Sequence, residues 1–230
     1  MDNTFVFLQV GNQVEPTILV KSLRKRMPTS RIIQCSDRMT KKIEGVTDLL
    51  HFEGDPNNLM TFRLSAFSEL KLTETAVYVD TDMIFLRAFD ASEVLEDHDA
   101  AVCERSFDRE GLVNPELVMG GFDFGAVYRG KTFREAHPYI ACFTITRDSR
   151  FWLESYKRLL EMPKMFHHWF GDQEAIKHLV HSGAFKIKMI PESKFACLPE
   201  EPSDEPIALH FKGHRKSWML RSELLKKDAS

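Results

Sequence analysis

The chain has 230 residues, 43% of them hydrophobic, which is enough for one sizeable α/β core but cramped for two separate domains. A formal net charge of -3 gives no general attraction to nucleic acid, and nucleic acid is not an expected partner. The four cysteines are scattered without a C-x-x-C pair, so neither a zinc site nor a disulfide framework is predicted.

The first half of the chain predicts alternating strands and helices. Short aliphatic and β-branched runs predict strands at 5–10, 31–35, 49–52, 76–79 and 83–86. Helices are predicted at 16–26 and after the turn at 55–57. The second helix is the clearest in the chain, with an apolar stripe at Leu59, Phe62, Ala66, Phe67 and Leu70. Arg63 lies beside this stripe, where an arginine is usually a solvated helix charge.

The second half continues the α/β pattern around one irregular stretch. Strands are predicted at 100–103, 139–146, 185–190 and 207–210, and helices at 150–162 and 173–180. Asp172 stands where the N-cap of the last helix is expected. The glycine-rich stretch 105–130 is either a functional lid or acceptor-binding loop, or a set of irregular strands. The whole pattern predicts one mixed α/β domain with a C-terminal extension.

Two carboxylates follow the strand at 76–79 directly. Asp80 and Asp82 are separated by one residue, so in an extended chain they project to the same side. Ligands bind at this end of the strands in open α/β sheets. Carboxylate oxygens suit Mg²⁺ or Mn²⁺, which are often shared with the phosphates of a substrate. The alternative is that one carboxylate caps the next element while the other is solvated.

The C-terminal region carries a second group of polar residues in an H-x-x-G-x-x-K-x-W pattern, made of His210, Gly213, Lys216 and Trp218. An imidazole at a strand end can complete a carboxylate metal site, so we predict a metal centre at Asp80, Asp82 and His210. Glycine lets backbone approach a phosphate closely, and lysine offers it a point charge. Alone, His210 would be an ordinary buried histidine.

These residues together resemble a known family. The chain is similar to GT-A-fold glycosyltransferases, and most like glycosyltransferase family eight, over roughly residues 5–218. The resemblance rests on four places in order: Arg63, Asp80-Thr81-Asp82, Asp172-Gln173, and the C-terminal pattern His210, Gly213, Lys216 and Trp218. The chain departs from the family at Ser217, where the family has proline, and at Ile140-Ala141-Cys142-Phe143, where it usually has an Asn-Ser/Ala-Gly run.

The resemblance implies a single GT-A-type, Rossmann-like domain over 1–218, with a mixed, mainly parallel sheet flanked by helices and a short basic tail at 219–230. It implies a metal-dependent, retaining transferase that uses Mn²⁺ or Mg²⁺ and a nucleotide-sugar, usually a UDP-sugar. Asp172 and Gln173 would face the sugar as catalytic residues. The residues implied to bind the donor are Gln9, Val10, Gly11, Arg63, Asp80, Thr81, Gly213 and Lys216.

The acceptor implied is a glycan or lipid-linked glycan of cell-surface polysaccharide biosynthesis. Because the N-terminus lacks a signal core and no apolar run reaches spanning length, we expect a cytoplasmic protein. The stretch 210–230 holds six Lys/Arg, two acids and several large apolar residues. It either contacts the anionic inner face of the membrane or docks on the body through its leucines.

The same residues leave three rival functions open. A phosphatase or mutase would need a small hydroxyl residue where Ile84 stands. A nucleotide-sugar pyrophosphorylase would need a glycine-rich, basic loop after the first strand, which residues 11–15 do not provide. A catalytically degenerate scaffold that binds nucleotide-sugar is the third alternative, supported by the altered Ala141-Cys142 stretch.

Overall fold

A computed structural model of the chain describes residues 2–106, 111–119, 121–167, 170–201 and 203–221. Part of the glycine-rich stretch and most of the predicted basic tail lie outside these ranges. The strands are β1 Thr4–Leu8, β2 Arg31–Ser36, β3 Asp48–His51, β4 Ala76–Val79, β5 Met83–Phe85, β6 Ala100–Glu104, β7 Val118–Met119, β8 Phe122–Asp123, β9 Tyr139–Thr146, β10 Ile187–Pro191 and β11 Ala208–His210.

The helices surround this set of strands. They are α1 Glu15–Arg26, α2 Leu59–Glu69, α3 Ala91–Leu95, α4 Phe124–Val127, α5 Phe133–Ala136, α6 Arg150–Glu161, α7 Gly171–Ser182, α8 Glu192–Phe195 and α9 Lys216–Met219, with 3-10 turns at Lys164–Phe166 and Gly213–Arg215. Within the described ranges, every helix is too short or too polar to cross a membrane.

Seven strands form one mixed sheet in the order β10-β6-β9-β4-β1-β2-β3. The pairs β1–β2, β1–β4, β2–β3 and β6–β10 are parallel, whereas β9 runs antiparallel to both β4 and β6. The predicted mixed, mainly parallel sheet flanked by helices is therefore confirmed. A separate two-stranded sheet pairs β5 with β11.

Alternating side chains of the central strands divide the core into two layers. Phe5 and Phe7 of β1 face α1, whereas Val6 faces the layer that contains α2, α6 and α7. In that second layer the ring centroids of Phe67 and Trp152 are 5.2 Å apart, and each lies 4.9 Å from the ring centroid of Tyr78. Burial of both faces of the sheet explains why these strands read as continuous apolar runs.

Most predicted elements differ from the structure by one or two residues at their boundaries, and one stretch could not be predicted. The strand expected at 185–190 is β10 at Ile187–Pro191, and the helix expected from residue 173 is α7, which begins at Gly171. The described part of 105–130 contains the short hairpin β7–β8 and helix α4. It is built around aromatic side chains rather than a periodic stripe, which is why its pattern could not be read from the sequence.

The N-terminus of α7 packs tightly against the preceding turn. A Cβ atom placed on Gly171 would lie 2.0 Å from the carbonyl oxygen of Phe166. We therefore expect Gly171→Ala to lower the free energy of unfolding by about 1 to 3 kcal/mol, the usual cost of overpacking. Urea unfolding measures this. Gly111→Ala is the control, because a Cβ there would have nothing within 4 Å; equal effects of the two changes would contradict the prediction.

Candidate active site

Two adjacent sheets bring the Asp-x-Asp residues to the ends of the central strands. β4 ends at Val79, and the backbone N–H of Asp80 donates to the carbonyl of Cys142 on β9 at 2.9 Å. β5 begins one residue after Asp82. The side chain of Asp82 is 9% exposed and that of Asp80 is 28% exposed. Asp82 is thus held inside the protein while Asp80 reaches toward solvent.

The pairing of β11 with β5 places His210 beside these carboxylates. In the register of this pair, His210 lies opposite Met83, and the N–H of Phe211 donates to the carbonyl of Asp82 at 2.8 Å. The Nε2 atom of His210 is 3.3 Å from Asp82 Oδ1 and 3.8 Å from Asp80 Oδ2. The structure therefore brings together the three residues that were predicted from the sequence to be metal ligands.

The donor atoms of Asp80, Asp82 and His210 all lie within 4.8 Å of one another. Two carboxylate oxygens and one imidazole nitrogen suit Mn²⁺ and also accept Mg²⁺. Burial would raise the pKa of Asp82, but the charges and hydrogen bonds of His210 and Lys216 outweigh burial and hold that pKa well below its usual value. Asp82 is therefore ionised, as a metal ligand must be.

His210 balances this charge. Burial would lower the pKa of His210, but the charge and hydrogen bond of the neighbouring Asp82 carboxylate raise it well above its usual value. The Nδ1 atom of His210 is buried and has no hydrogen-bond partner among the described residues. The donor set fits a divalent cation, which would take the place of the imidazole proton.

Arg63 links the Asp-x-Asp carboxylates to α7. Its guanidinium pairs with Asp80 through Nη1 and with Asp172 through Nη2. The interpretation of Arg63 as a solvated helix charge is wrong, because only 9% of its side chain is exposed. Asp172 is also not an N-cap: α7 begins at Gly171, and the Asp172 side chain accepts from the N–H of Gln173 at 2.7 Å and from Arg63.

Two cavities meet at this group of charges. The smaller, of 180 Å³, extends along the ends of β1 and β4, and the larger, of 590 Å³, extends toward β9 and α7. Both are lined by Met60, Arg63, Asp80, Asp82 and Lys216. The predicted metal ligands therefore stand at the junction of two compartments, a layout that can hold one substrate across the metal and a second one beside it.

Of the residues predicted to bind the nucleotide near the end of β1, most line the smaller cavity and one does not. Gln9, Val10 and Thr81 line the smaller cavity. Gly11 is not among its lining residues; its N–H donates to Thr40 Oγ1 at 2.8 Å, and its φ of +86° suits a glycine. Gly11 therefore shapes the loop that follows β1.

The C-terminal pattern contributes to the larger cavity. Gly213 lines it with a φ of +65°, which an L side chain adopts only with strain. Lys216 Nζ lies 3.3 Å from Asp82 Oδ2. Trp218 packs edge-on against His214 and is 41% exposed. Met219, one of the large apolar residues of the stretch 210–230, is fully buried among apolar residues and anchors this segment to the body.

Several residues of the larger cavity were not predicted from the sequence, among them Arg105, Phe133 and Phe170. Arg105 directly follows β6, a position that could have been noted as the end of a strand. The two phenylalanines sit in aromatic contacts without a period, so no local signal marked them. The ring of Phe170 stacks on His137 with centroids 4.9 Å apart, and Phe133 stacks on Phe124 at 4.6 Å.

A second group of potential ligands lies elsewhere. Glu96, Asp97 and His98 also place their donor atoms within 4.8 Å of one another. Its two carboxylates are exposed and paired with surface lysines, Lys188 with Glu96 and Lys186 with Asp97. It adjoins neither cavity, and an exposed cluster of this kind is ordinary surface chemistry.

Comparison with known proteins supports the fold. No protein-family model and no curated protein matches the sequence. Among solved structures, the glycosyltransferase GlyE of Streptococcus pneumoniae TIGR4 is similar with a TM-score of 0.59 and 13% identity, covering 98% of this chain and 64% of its own. The galactosyltransferase LgtC, solved with donor and acceptor sugar analogues, is similar with a TM-score of 0.53 and 11% identity, covering 92% and 87%.

The bifunctional glycosyltransferase WbbM is similar with a TM-score of 0.54 and 13% identity, covering 94% of this chain and 47% of its own. The chain thus spans less than two thirds of the length of GlyE and of WbbM. At these identities the likeness establishes the fold. The chain has the α/β fold of solved glycosyltransferases, as the resemblance of its motifs implied.

Proposed function

We propose that the chain is a metal-dependent glycosyltransferase of the GT-A type. It would move a sugar from a nucleotide-diphosphate donor, with UDP as the expected carrier, to a glycan or lipid-linked glycan. The observation that carries the proposal is the position of Asp80, Asp82 and His210 at the junction of two cavities, in a fold shared with solved glycosyltransferases. In the reaction the bond from the anomeric carbon to phosphate breaks, a bond to the acceptor oxygen forms, and the acceptor loses its proton.

The smaller cavity would hold the nucleoside, and the charges at the junction would hold the diphosphate. Asp80, Asp82 and His210 would bind Mn²⁺ or Mg²⁺, which supplies Lewis-acid stabilisation of the charge on a departing diphosphate. Lys216, already beside Asp82, adds a positive charge at the same place. Arg63 fixes Asp80 and is itself fixed by the buried Asp172. Asp172 is fully buried and is not among the lining residues, so it would act by holding Arg63 and the first turn of α7.

The larger cavity would hold the transferred sugar and the acceptor. Gln173 lines it and is our candidate for the polar group that faces the sugar. Phe133 and Phe170 offer aromatic faces for the apolar side of an acceptor ring. Among the described lining residues the carboxylates are Asp80 and Asp82, both in the metal group, and none of these described residues is a further carboxylate that could act as general base. This supports retention of anomeric configuration over inversion.

The departure at Ile140-Ala141-Cys142 forms an apolar part of the same wall. Burial raises the pKa of the Cys142 thiol to about 11, so this cysteine is a neutral wall residue and not a nucleophile. The loss of polar groups here favours one second candidate function, a scaffold that binds nucleotide-sugar without turnover. Turnover of a bound donor on an acceptor or on water would exclude that candidate.

We also propose that the protein works in the cytoplasm at the inner face of the membrane, in cell-surface polysaccharide biosynthesis. Trp218 and Leu220 are 41% and 52% exposed beside Arg221, next to the residues that line the larger cavity. Exposed aromatic and aliphatic side chains beside basic ones suit an anionic membrane surface carrying a lipid-linked acceptor. Met219 docks the start of the segment on the body, while the leucines expected to dock it are either exposed, as Leu220 is, or lie outside the described residues.

The first test is ligand-induced thermal stabilisation. We expect one UDP-sugar to raise the melting temperature in the presence of Mn²⁺, because a ligand that binds only the folded state stabilises it by mass action. The shift should vanish with EDTA. It is measured by scanning fluorimetry against a panel of nucleotide-sugars, with the free sugars as controls. The absence of a shift with every nucleotide-sugar would refute the transferase proposal.

A further inference from the structure

The side-chain amide of Gln173 is held in one orientation by Arg105. Arg105 Nη2 donates to Gln173 Oε1 at 2.8 Å. Arg105 is only 4% exposed, its Nε donates to the carbonyl of His137 at 2.7 Å, and its backbone N–H donates to the carbonyl of Pro138 at 2.8 Å. The guanidinium is therefore fixed against the segment that leads into β9, and Gln173 is fixed by the guanidinium.

The chemistry of arginine makes this orientation unambiguous. A guanidinium donates hydrogen bonds and accepts none, so the amide atom next to it must be the oxygen. The amide nitrogen of Gln173 donates to no other group within the described residues, while the side chain is half-buried and lines the 590 Å³ cavity. The amide N–H₂ group of Gln173 is thus available to a ligand in the cavity, whereas its carbonyl oxygen already accepts a hydrogen bond from Arg105.

We propose that Arg105 is a positioning residue that turns the amide N–H₂ of Gln173 toward the substrate. Gln173 then acts as a hydrogen-bond donor to an oxygen of the bound nucleotide-sugar, and its carbonyl oxygen does not attack the anomeric carbon. The proposal rests on the proposed glycosyltransferase function and specifies which atom of the amide contacts the substrate. The bond from Arg105 to Oε1 also polarises the amide and strengthens its N–H groups as donors.

The first experiment compares Gln173→Ala with Gln173→Glu in the full chain with Mn²⁺ and the donor found by thermal shift. A glutamate held by Arg105 is ionised and cannot donate, so both variants should lower kcat by about a hundredfold, the typical loss of one positioned donor. Intact-mass spectrometry of Gln173→Glu with donor should show no glycosyl adduct. Retention of kcat in Gln173→Glu, or an adduct on residue 173, would overturn the proposal.

The second experiment tests whether Arg105 acts through Gln173. Arg105→Met should lower kcat by about tenfold or more with little change in KM for the donor, and Arg105→Lys, which can still donate to Oε1, should recover part of it. In the Gln173→Ala background, Arg105→Met should change kcat less than about twofold, since the group it positions is gone. Independent, multiplicative losses would show that Arg105 acts in another way.

Lys177→Met is the matched structural control. Lys177 is also on α7, and its Nζ donates to the carbonyl of Ala136 at 3.0 Å, so it ties the same helix to the same segment without touching Gln173. We expect kcat of Lys177→Met to stay within about twofold of wild type. An equal loss in Lys177→Met and Arg105→Met would assign the effect to loosened packing.

If the wild-type chain neither binds nor turns over a nucleotide-sugar, the glycosyltransferase proposal falls and this one with it. An active wild type with the wrong variant pattern refutes this inference alone.

Discussion

Asp82→Asn is expected to lower the rate of sugar transfer about a thousandfold, equivalent to about 4 kcal/mol of transition-state stabilisation. The change removes the charge of the most buried carboxylate in the candidate metal group while keeping its size. It also removes the negative charge that both Lys216 and His210 contact. The measurement is release of nucleoside diphosphate in the presence of Mn²⁺, with the thermal shift of the donor recorded in parallel. A variant with wild-type transfer would remove Asp82 from the metal site.

The matched control is Asp97→Asn. Asp97 belongs to the second group of potential ligands, Glu96, Asp97 and His98; it is exposed, and none of the three lines either cavity. We expect this variant to keep both the transfer rate and the Mn²⁺-dependent shift. If Asp97→Asn abolished the shift while Asp82→Asn kept it, the metal responsible would bind at the surface group, and the proposed assignment of the metal centre would be wrong.

Arg63→Met is expected to lower the free energy of unfolding by about 3 to 5 kcal/mol, the usual cost of removing one partner from a buried ion pair. The reason is that Asp172, with no exposed side-chain surface, would lose the cation that compensates its charge, and Asp80 would lose its tether. For a chain of this size we expect the melting temperature to fall by roughly 10 °C. Urea and thermal unfolding both report the change.

The double variant Arg63→Met, Asp172→Asn separates this charge effect from simple loss of packing. Neutralising Asp172 removes the buried charge that Arg63 compensates, so the double variant should be more stable than the sum of the two single losses predicts, by about 0.5 to 3 kcal/mol. Additive losses would mean that Arg63 stabilises the fold through its aliphatic stem. Transfer activity should stay low in the double variant, because Asp80 remains untethered.

The sequence alone was informative wherever a local pattern carries the answer. The order of strands and helices follows from short apolar runs, and the strand 139–146 was bounded as observed because both its faces are buried. Asp80 and Asp82 could be assigned to the end of a strand because their spacing and the preceding run are both local. The aromatic segment around Phe124 and Phe133 could not be read, since its packing follows no period.

The sequence by itself therefore determined a mixed, mainly parallel α/β domain and the set of residues from which a metal centre could be built. Only the tertiary structure decided how they meet. The register of β11 against β5 brings His210 to Asp82, burial makes Arg63 an ion-pair bridge instead of a surface charge, and Arg105 selects one orientation of the Gln173 amide. These contacts join distant parts of the chain, and their geometry depends on strand register and burial, which local sequence patterns do not encode.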